Sequence, residues 1–295
     1  MRKIDCCAIC GGSIARDHSA LVTPFLAHRI WNRKPFSVPL VECSDCGFVF
    51  FNPRLEPSEE MLLYSGYRER EYQQSRGYFE PWYTEKLNAS LSSPESWAFR
   101  KSHLKEAIPG LPELNREFES VLDFGGDRGD LIADLVRAKK RFVFEISGVE
   151  PVSVVRPLRT LEECGRERFD LIITSNVLEH VGSPQEIIAQ IASISSPGTF
   201  VFNEVPYESA TGVQTRMKRL AQEAILAVVK PRLAMSLLRP GVLTLMHEHV
   251  NYFSPQSLRR LMEVSGFEVL AGGAYSQGNS PLSPKVAWNL ARASH

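Results

Sequence analysis

The amino-acid sequence predicts an α/β protein whose main sheet is mostly parallel, with helices on both faces, preceded by a small cysteine-rich segment. Two observations carry this. From Val121 onward, strand-like runs alternate with helical ones: SVLDFG, LIADLVRA, FEISGVEP, FDLIITSN, PQEIIAQIASI and TFVFNEVP. Parallel strands need crossover helices, and this alternation supplies them. The second observation is VLDFGGDRGD at 121–130, where an apolar run ends in Asp123 and then in Gly125, Gly126 and Gly129. Strand, glycine turn and amphipathic run in that order make a nucleotide-binding α/β unit, because bare backbone lets a ligand approach closely.

The segments follow in order. Residues 1–55 hold five of the six cysteines and a proline-punctuated middle, PFLAHRIWNRKPFSVPL, and read as a small metal-binding ribbon. Residues 56–115, with MLLYSGYRERE, read as a helical connector. Residues 116–295 read as the sheet domain, interrupted at about 207–246 by a helical insertion, VQTRMKRLAQEAILAVVKPRLAMSLL. The helix PQSLRRLMEVSG and the strand-like runs FEVLAGGAYS and KVAWNLARA close the chain.

Composition narrows the classes. Hydrophobic residues at 43% and charged residues at 23% describe an ordinary globular protein. Lys+Arg and Asp+Glu both number 34, so no global field steers the chain to nucleic acid. The run RAKKRF at 137–142 is the local basic exception. The opening MRKIDCCAIC lacks an apolar signal region, and no apolar run approaches the roughly 20 residues of a membrane span. A cytoplasmic location is expected.

Clustered thiols in such a chain point to metal rather than to disulfides. Cys7 and Cys10 are spaced C-x-x-C and followed by glycines; Cys43 and Cys46 repeat the spacing and are followed by Gly47. Two such knuckles present four thiolates to one tetrahedral Zn²⁺, and four sulfur ligands with no open position make the ion structural. Cys6 sits one residue off this spacing, and Cys164 reads as core.

Gly148-Val149-Glu150 reads as the end of the next strand, with Glu150 placed to accept hydrogen bonds from ribose hydroxyls. FDLIITSNVLEHV then gives a buried strand ending in polar residues, so Ser175, Asn176, Glu179 and His180 should rim the carboxyl ends of the strands.

Together, VLDFGGDRG, the acid after the second strand and FDLIITSNVLEHV resemble the class I S-adenosylmethionine-dependent methyltransferases. HEHVNYFSPQSLRRLMEVSGFEV resembles the C-terminal signature of a bacterial branch of that superfamily. CSDCGFVFFNPR resembles the zinc-ribbon front end of sugar and natural-product C-methyltransferases. The resemblance implies a Rossmann-like seven-stranded sheet and a small-molecule acceptor such as a sugar nucleotide, glycan or natural-product intermediate. It places Asp123, Gly125, Gly126 and Gly129 against the cofactor's methionine part and Glu150 on its ribose. Asn176, Val177 and Leu178 open the post-strand motif flanking adenine and sulfonium, which runs on to His180. Asp127 stands where the family has its middle glycine, and the segment between Glu150 and Phe169 is short.

For chemistry, LMHEHVNYF gathers His247, Glu248, His249 and Tyr252, and His180 follows the strand end. Histidine exchanges a proton near neutral pH. His249 is the first choice as base, then His247 and His180, with Tyr252 free to orient or bind substrate; by the resemblance this loop closes the active site. The alternatives are an RNA methyltransferase gripping nucleic acid with its ribbon, and a cofactor-binding scaffold without catalysis. The basic amphipathic segment 212–240 reads as a lid, or as a weak membrane-surface contact.

Overall fold

The computed structural model describes residues 1–67, 69–87, 94–107, 117–133, 137–237, 242, 244–278 and 283–294. By its contacts the chain divides into two compact units. The first comprises Met1–Leu91, Glu179–Ser183 and Glu208–Tyr252; the second comprises Ser92–Leu178, Pro184–Tyr207 and Phe253–His295.

The first unit is built on strands β1 (Ile14–Val22), β2 (Ser37–Cys43) and β3 (Val49–Phe51), an antiparallel meander. Helix α1 (Pro24–Trp31) joins β1 to β2 and begins with proline, which suits a helix's first turn. Its buried Phe25, Leu26 and Ile30 form a core with Leu40, Phe51, Leu63 and Tyr72. Leu63 comes from α2 (Pro57–Tyr64) and Tyr72 from α3 (Arg70–Phe79).

The second unit contains α4 (Pro94–Ala107), β4 (Phe118–Phe124), β5 (Ala138–Phe144), β6 (Arg156–Leu158), α5 (Leu161–Gly165), β7 (Leu171–Ser175), α6 (Pro184–Ile194) and β8 (Phe200–Pro206). The first unit then adds α7 (Val213–Val229), α8 (Pro231–Leu237), β9 (Thr244–Met246) and β10 (Asn251–Tyr252). The second closes with α9 (Pro255–Val264), β11 (Phe267–Ser276) and β12 (Lys285–Ala293). Its seven strands run β11-β12-β8-β7-β4-β5-β6, and β12 runs antiparallel to β11 and β8 while the other pairs are parallel. This is the mostly parallel seven-stranded, Rossmann-like sheet expected from the sequence.

Central strands read as continuous apolar runs because both faces are covered. In β4 every residue but Glu119 is buried, and the one carboxylate among them is Asp123. The antiparallel insertion of β12 is fixed by a polar ladder. Thr174, Asn203 and Asn289 lie abreast on β7, β8 and β12, with Asn203 Nδ2 donating to Asn289 Oδ1 at 2.8 Å.

Two expectations shift. The strand after the glycine turn ends at Phe144, where its partner β4 also ends at Phe124, so Glu150 lies six residues beyond it. The helix expected over LIADLVRA begins as a turn at 131–133, and 134–136 lie outside the described residues. The RAKKRF run falls mostly in β5, where Lys139 is exposed and pairs with Glu119.

Residues 244–252 also do something the sequence does not advertise. β9 lies parallel to β1 at one edge of the first unit's sheet, and β10 pairs with β3 at the other, giving the order β10-β3-β2-β1-β9. The loop His247–Val250 therefore joins the two edges of one sheet.

Candidate active site and cysteine cluster

At the carboxyl end of β4 the chain turns through Gly125 at φ +73°, with its amide bonded to the Phe144 carbonyl at 2.8 Å. A Cβ on Gly125 would meet Val177 Cγ2 at 2.6 Å, and one on Gly126 would meet Asp123 Cγ at 2.1 Å. No side chain fits either place. Asp127, standing in for a glycine, takes φ +55°, a left-handed conformation that aspartate tolerates, and its amide donates to Glu145 Oε2 at 3.2 Å. Gly129 repeats the turn at φ +73° against Val155.

Asp123 is buried, and among the described residues neither carboxylate oxygen has a hydrogen-bond partner. Burial pushes its pKa up to about 7; Arg100 works against this, while Glu145, Glu204 and Asp127 add to it. A buried carboxylate with no donor is costly unless a ligand supplies one. Glu204, on β8, is the opposite case. It accepts from Arg100 Nε at 2.9 Å, from Tyr275 Oη at 3.0 Å and from the Ser175 hydroxyl. Asn176 takes φ +57° and bonds the Glu204 carbonyl through its amide, while Leu178 is buried.

Glu145 directly follows β5 and is tied to the glycine turn through Asp127. Glu150 is 84% exposed and paired with Arg159 at 3.1 Å. The acid at the strand end is thus Glu145; the apolar run FVF ending at Phe144 directly before it was the available sequence signal.

In the first unit His247, Glu248 and His249 are held by carboxylates and arginine. Arg76 forks onto Glu248 at 2.7 and 2.9 Å and bonds Glu80 at 2.9 Å. Burial would raise the Glu248 carboxyl, but Arg76 outweighs it and draws the pKa down to about 2. His247 Nδ1 lies 3.4 Å from Glu80, so His247 is tied into this brace. Arg54, fully buried, donates to the carbonyls of Phe51, Val181, Gly182 and Val250 and to the Asn251 side chain, clamping the 179–183 and 249–251 segments.

His180 and His249 meet edge to face with ring centroids 4.8 Å apart. His180 Nδ1 lies 3.0 Å from the Tyr64 hydroxyl and 3.3 Å from the Glu248 carbonyl, and His249 Nδ1 lies 3.3 Å from Glu208. The two rings differ in basicity. Burial, then the neighbouring His249, pushes His180 down to about 4. Burial would lower His249 too, but its hydrogen bond to Glu208 and the charge of Glu179 raise it overall. Tyr252 packs edge-on against Phe51, and burial lifts its phenol well above the usual range.

The four knuckle cysteines converge, with all four sulfurs within 4.8 Å of one another. Cys7–Cys46 is 3.8 Å, and Cys10–Cys43 and Cys10–Cys46 are each 3.5 Å. Tetrahedral ligands about 2.3 Å from zinc stand close to this far apart. The knuckles are near copies: Gly11 and Gly47 take φ +70° and +68°, each donating to the first cysteine's carbonyl at 3.1 Å. Amides of Ile9, Gly12 and Asp45 point at Cys7, Cys10 and Cys43 sulfurs at 3.4–3.5 Å, the support that metal-bound thiolates take. Cys6 is exposed and Cys164 buried, both outside the cluster.

A family model described as a methyltransferase domain matches residues 96–271. The chain belongs to that family. A curated relative, a ubiquinone biosynthesis O-methyltransferase of Thiobacillus denitrificans, is 28% identical over 110 residues, 37% of this chain and 41% of its own. The chain therefore spans about two fifths of that relative's length. Among solved structures, a Burkholderia thailandensis 1,6-didemethyltoxoflavin-N1-methyltransferase is similar at 14% identity and a TM-score of 0.47, covering 87% of this chain and 96% of its own. The N-methyltransferase NodS of Bradyrhizobium japonicum with S-adenosyl-l-homocysteine gives 14% and 0.44, covering 72% and 98%. The assignment rests on the family model, whose match includes the β4 turn, the polar end of β7 and the histidine loop of this methyltransferase-domain chain.

Proposed function

We propose that this chain is an S-adenosylmethionine-dependent methyltransferase acting on a small molecule, such as a sugar nucleotide, glycan or natural-product intermediate. The observation that carries the reading is Asp123, a buried carboxylate without a donor beside a turn where no Cβ fits. Such a place suits the ammonium and hydroxyl donors of the cofactor. When bound, the cofactor supplies an electrophilic methyl on a sulfonium that is its own leaving group. Asp123, Gly125, Gly126 and Gly129 would hold it, with Asn176, Val177 and Leu178 after β7, and Glu145 in preference to Glu150 for the ribose hydroxyls.

The chain's own task is alignment of the acceptor and removal of its proton. His249 is proposed as the base and His180, kept neutral by burial, as an acceptor-binding neighbour. Glu208 fixes His249 Nδ1, and the Arg76–Glu248–Glu80 brace holds the loop and His247. Tyr252 contacts the acceptor. Cys7, Cys10, Cys43 and Cys46 are proposed to hold one structural Zn²⁺, and the segment 212–240 to make a weak contact with a membrane surface.

The test is transfer of labelled methyl from the cofactor to a panel of sugar nucleotides and natural-product precursors. Turnover on one of them supports the reading. Tight cofactor binding with no transfer to any acceptor class would instead mark a scaffold. Salt-dependent RNA binding with methyl incorporation into RNA would reverse the choice of acceptor.

A further inference from the structure

Helix α7 is packed with its apolar side out. Val213, Met217, Leu220, Ala224 and Val228 follow one another at spacings of four, three, four and four, so they share one side of the helix. Met217 and Leu220 are each 65% exposed and Val228 is 85% exposed. The opposite side carries Arg219, Gln222 and Leu226, and there Gln222 is only 7% exposed. Arg219 is turned inward, bonded to Glu223 at 2.7 Å and to carbonyls of Val242 and Leu237. Leu226 joins Leu21, Ala234, Leu237, Val242 and Leu245 in a core of its own. An amphipathic helix normally does the reverse. An exposed contiguous apolar stripe of this kind marks a contact surface.

The charges around the stripe decide what fits it. Arg216 and Lys218, both exposed, stand one residue to either side of Met217, hence about 100° to each side of the stripe. Arg232 is exposed on α8 close to Met235, which is exposed as well. Residues 213–237 hold five cationic side chains and one carboxylate, Glu223, which is engaged by the inward Arg219; Arg216, Lys218 and Arg232 are the exposed cations. A second copy of the chain docking here by two-fold symmetry would set these cations against their own copies. An apolar stripe edged with cations instead matches an anionic bilayer surface, where the side chains enter the acyl boundary and the cations meet headgroup phosphates.

We propose that the exposed face of α7, extended by Arg232 and Met235 of α8, is an interfacial docking surface for anionic lipid bilayers. This deepens the weak membrane contact proposed for 212–240 and uses no part of the methyltransferase reading. The experiment is co-sedimentation of the full chain with vesicles of phosphatidylcholine alone or with about 30% phosphatidylglycerol. The chain is expected to sediment with the anionic vesicles, and to be released as salt rises. Arg216→Gln with Lys218→Gln should weaken partitioning roughly twentyfold, taking about fivefold per cation at the surface. Met217→Glu with Leu220→Glu should abolish it. All four positions are exposed, and unchanged circular dichroism and cofactor binding would show that the variants are folded. Failure to bind anionic vesicles at low salt overturns the proposal. So does a dimer in sedimentation equilibrium that the glutamate variant dissolves, because the stripe would then belong to a second copy. Neither result touches the methyl-transfer assay, so the two readings fail separately.

Discussion

Two buried carboxylates in the same sheet have opposite surroundings. Glu204 on β8 is met by Arg100, Tyr275 and Ser175. Asp123, two strands away on β4, has no hydrogen-bond partner on either oxygen among the described residues, and burial lifts its pKa to about 7. A carboxylate paired on every side belongs to the architecture, and breaking the pair leaves a charge stranded. One left without donors, beside a turn where no Cβ fits, is what the proposed cofactor site would need, since the ligand would bring them. The contrast separates the two acids by their partners alone.

The largest expected effect follows from the first half of this comparison. Glu204→Ala should break the buried Arg100 pair and remove the acceptor of Tyr275 and Ser175, costing about 3–5 kcal/mol of stability, read from denaturant midpoints. Asp123→Asn should cost no stability at pH 8 and is expected to raise it. The sign follows from linkage. Asp123 titrates near 7 when folded and near 3.8 in its unperturbed state, so the unfolded chain loses its proton first. Stability from this group falls as pH rises from about 4 to 7 and stays low above that, and asparagine removes the fall. If both variants destabilise equally, the distinction between the two acids is wrong.

Next comes His249→Gln, expected to lower kcat at least a hundredfold while cofactor affinity stays within about threefold, since a positioned base contributes about 10²–10⁴. The wild-type profile should rise with pH through a pKa above the ordinary 6.5 of histidine, because Glu208 and Glu179 hold His249 protonated. A normal His249→Gln enzyme with a dead His180→Gln would exchange their roles. Smaller again is the effect of Asp123→Asn on cofactor affinity, a loss of about tenfold for one charge-assisted hydrogen bond at roughly 1.5 kcal/mol.

Much of this was legible before any coordinates. Asp123 and its glycines, and the cysteine knuckles, announce themselves because each motif is local: Asp123 to Gly129 spans seven positions and each cysteine pair spans four, although the two knuckles meet across more than thirty residues. Glu204's partners were not legible, because Arg100 arrives from α4, more than a hundred residues earlier, and Tyr275 from β11. The brace on Glu248 is similar, reaching back to Arg76 on α3. β9 and β10 hold three and two residues, too short for any period to show, so their capture at both edges of the first sheet had no sequence signal. Arg54 looked like the end of a ribbon motif, and its burial among five acceptors is a tertiary fact.

The smallest effect, that of Glu150→Ala, sharpens the comparison most when set against Glu145→Ala, because the two acids lie five residues apart. Ending β5 at Phe144 makes Glu145 the acid at the strand's carboxyl end, where ligands of open α/β sheets are bound. Glu145 is already tied to the glycine turn through the Asp127 amide at 3.2 Å, which places it beside the proposed cofactor turn. Glu150 is exposed, and its ion pair with Arg159 is of the surface kind that contributes about 0–1 kcal/mol. Glu145→Ala should therefore reduce cofactor affinity about tenfold or more by calorimetry, from the charge-assisted bonds it would make to the ribose hydroxyls. Glu150→Ala should change it less than about twofold, since removing a solvent-screened pair moves surface energies by tenths of a kcal/mol. The reverse outcome would mean that the loop after Phe144 folds inward when cofactor binds, bringing Glu150 to the ribose. Equal and additive losses would mean that both acids hold it.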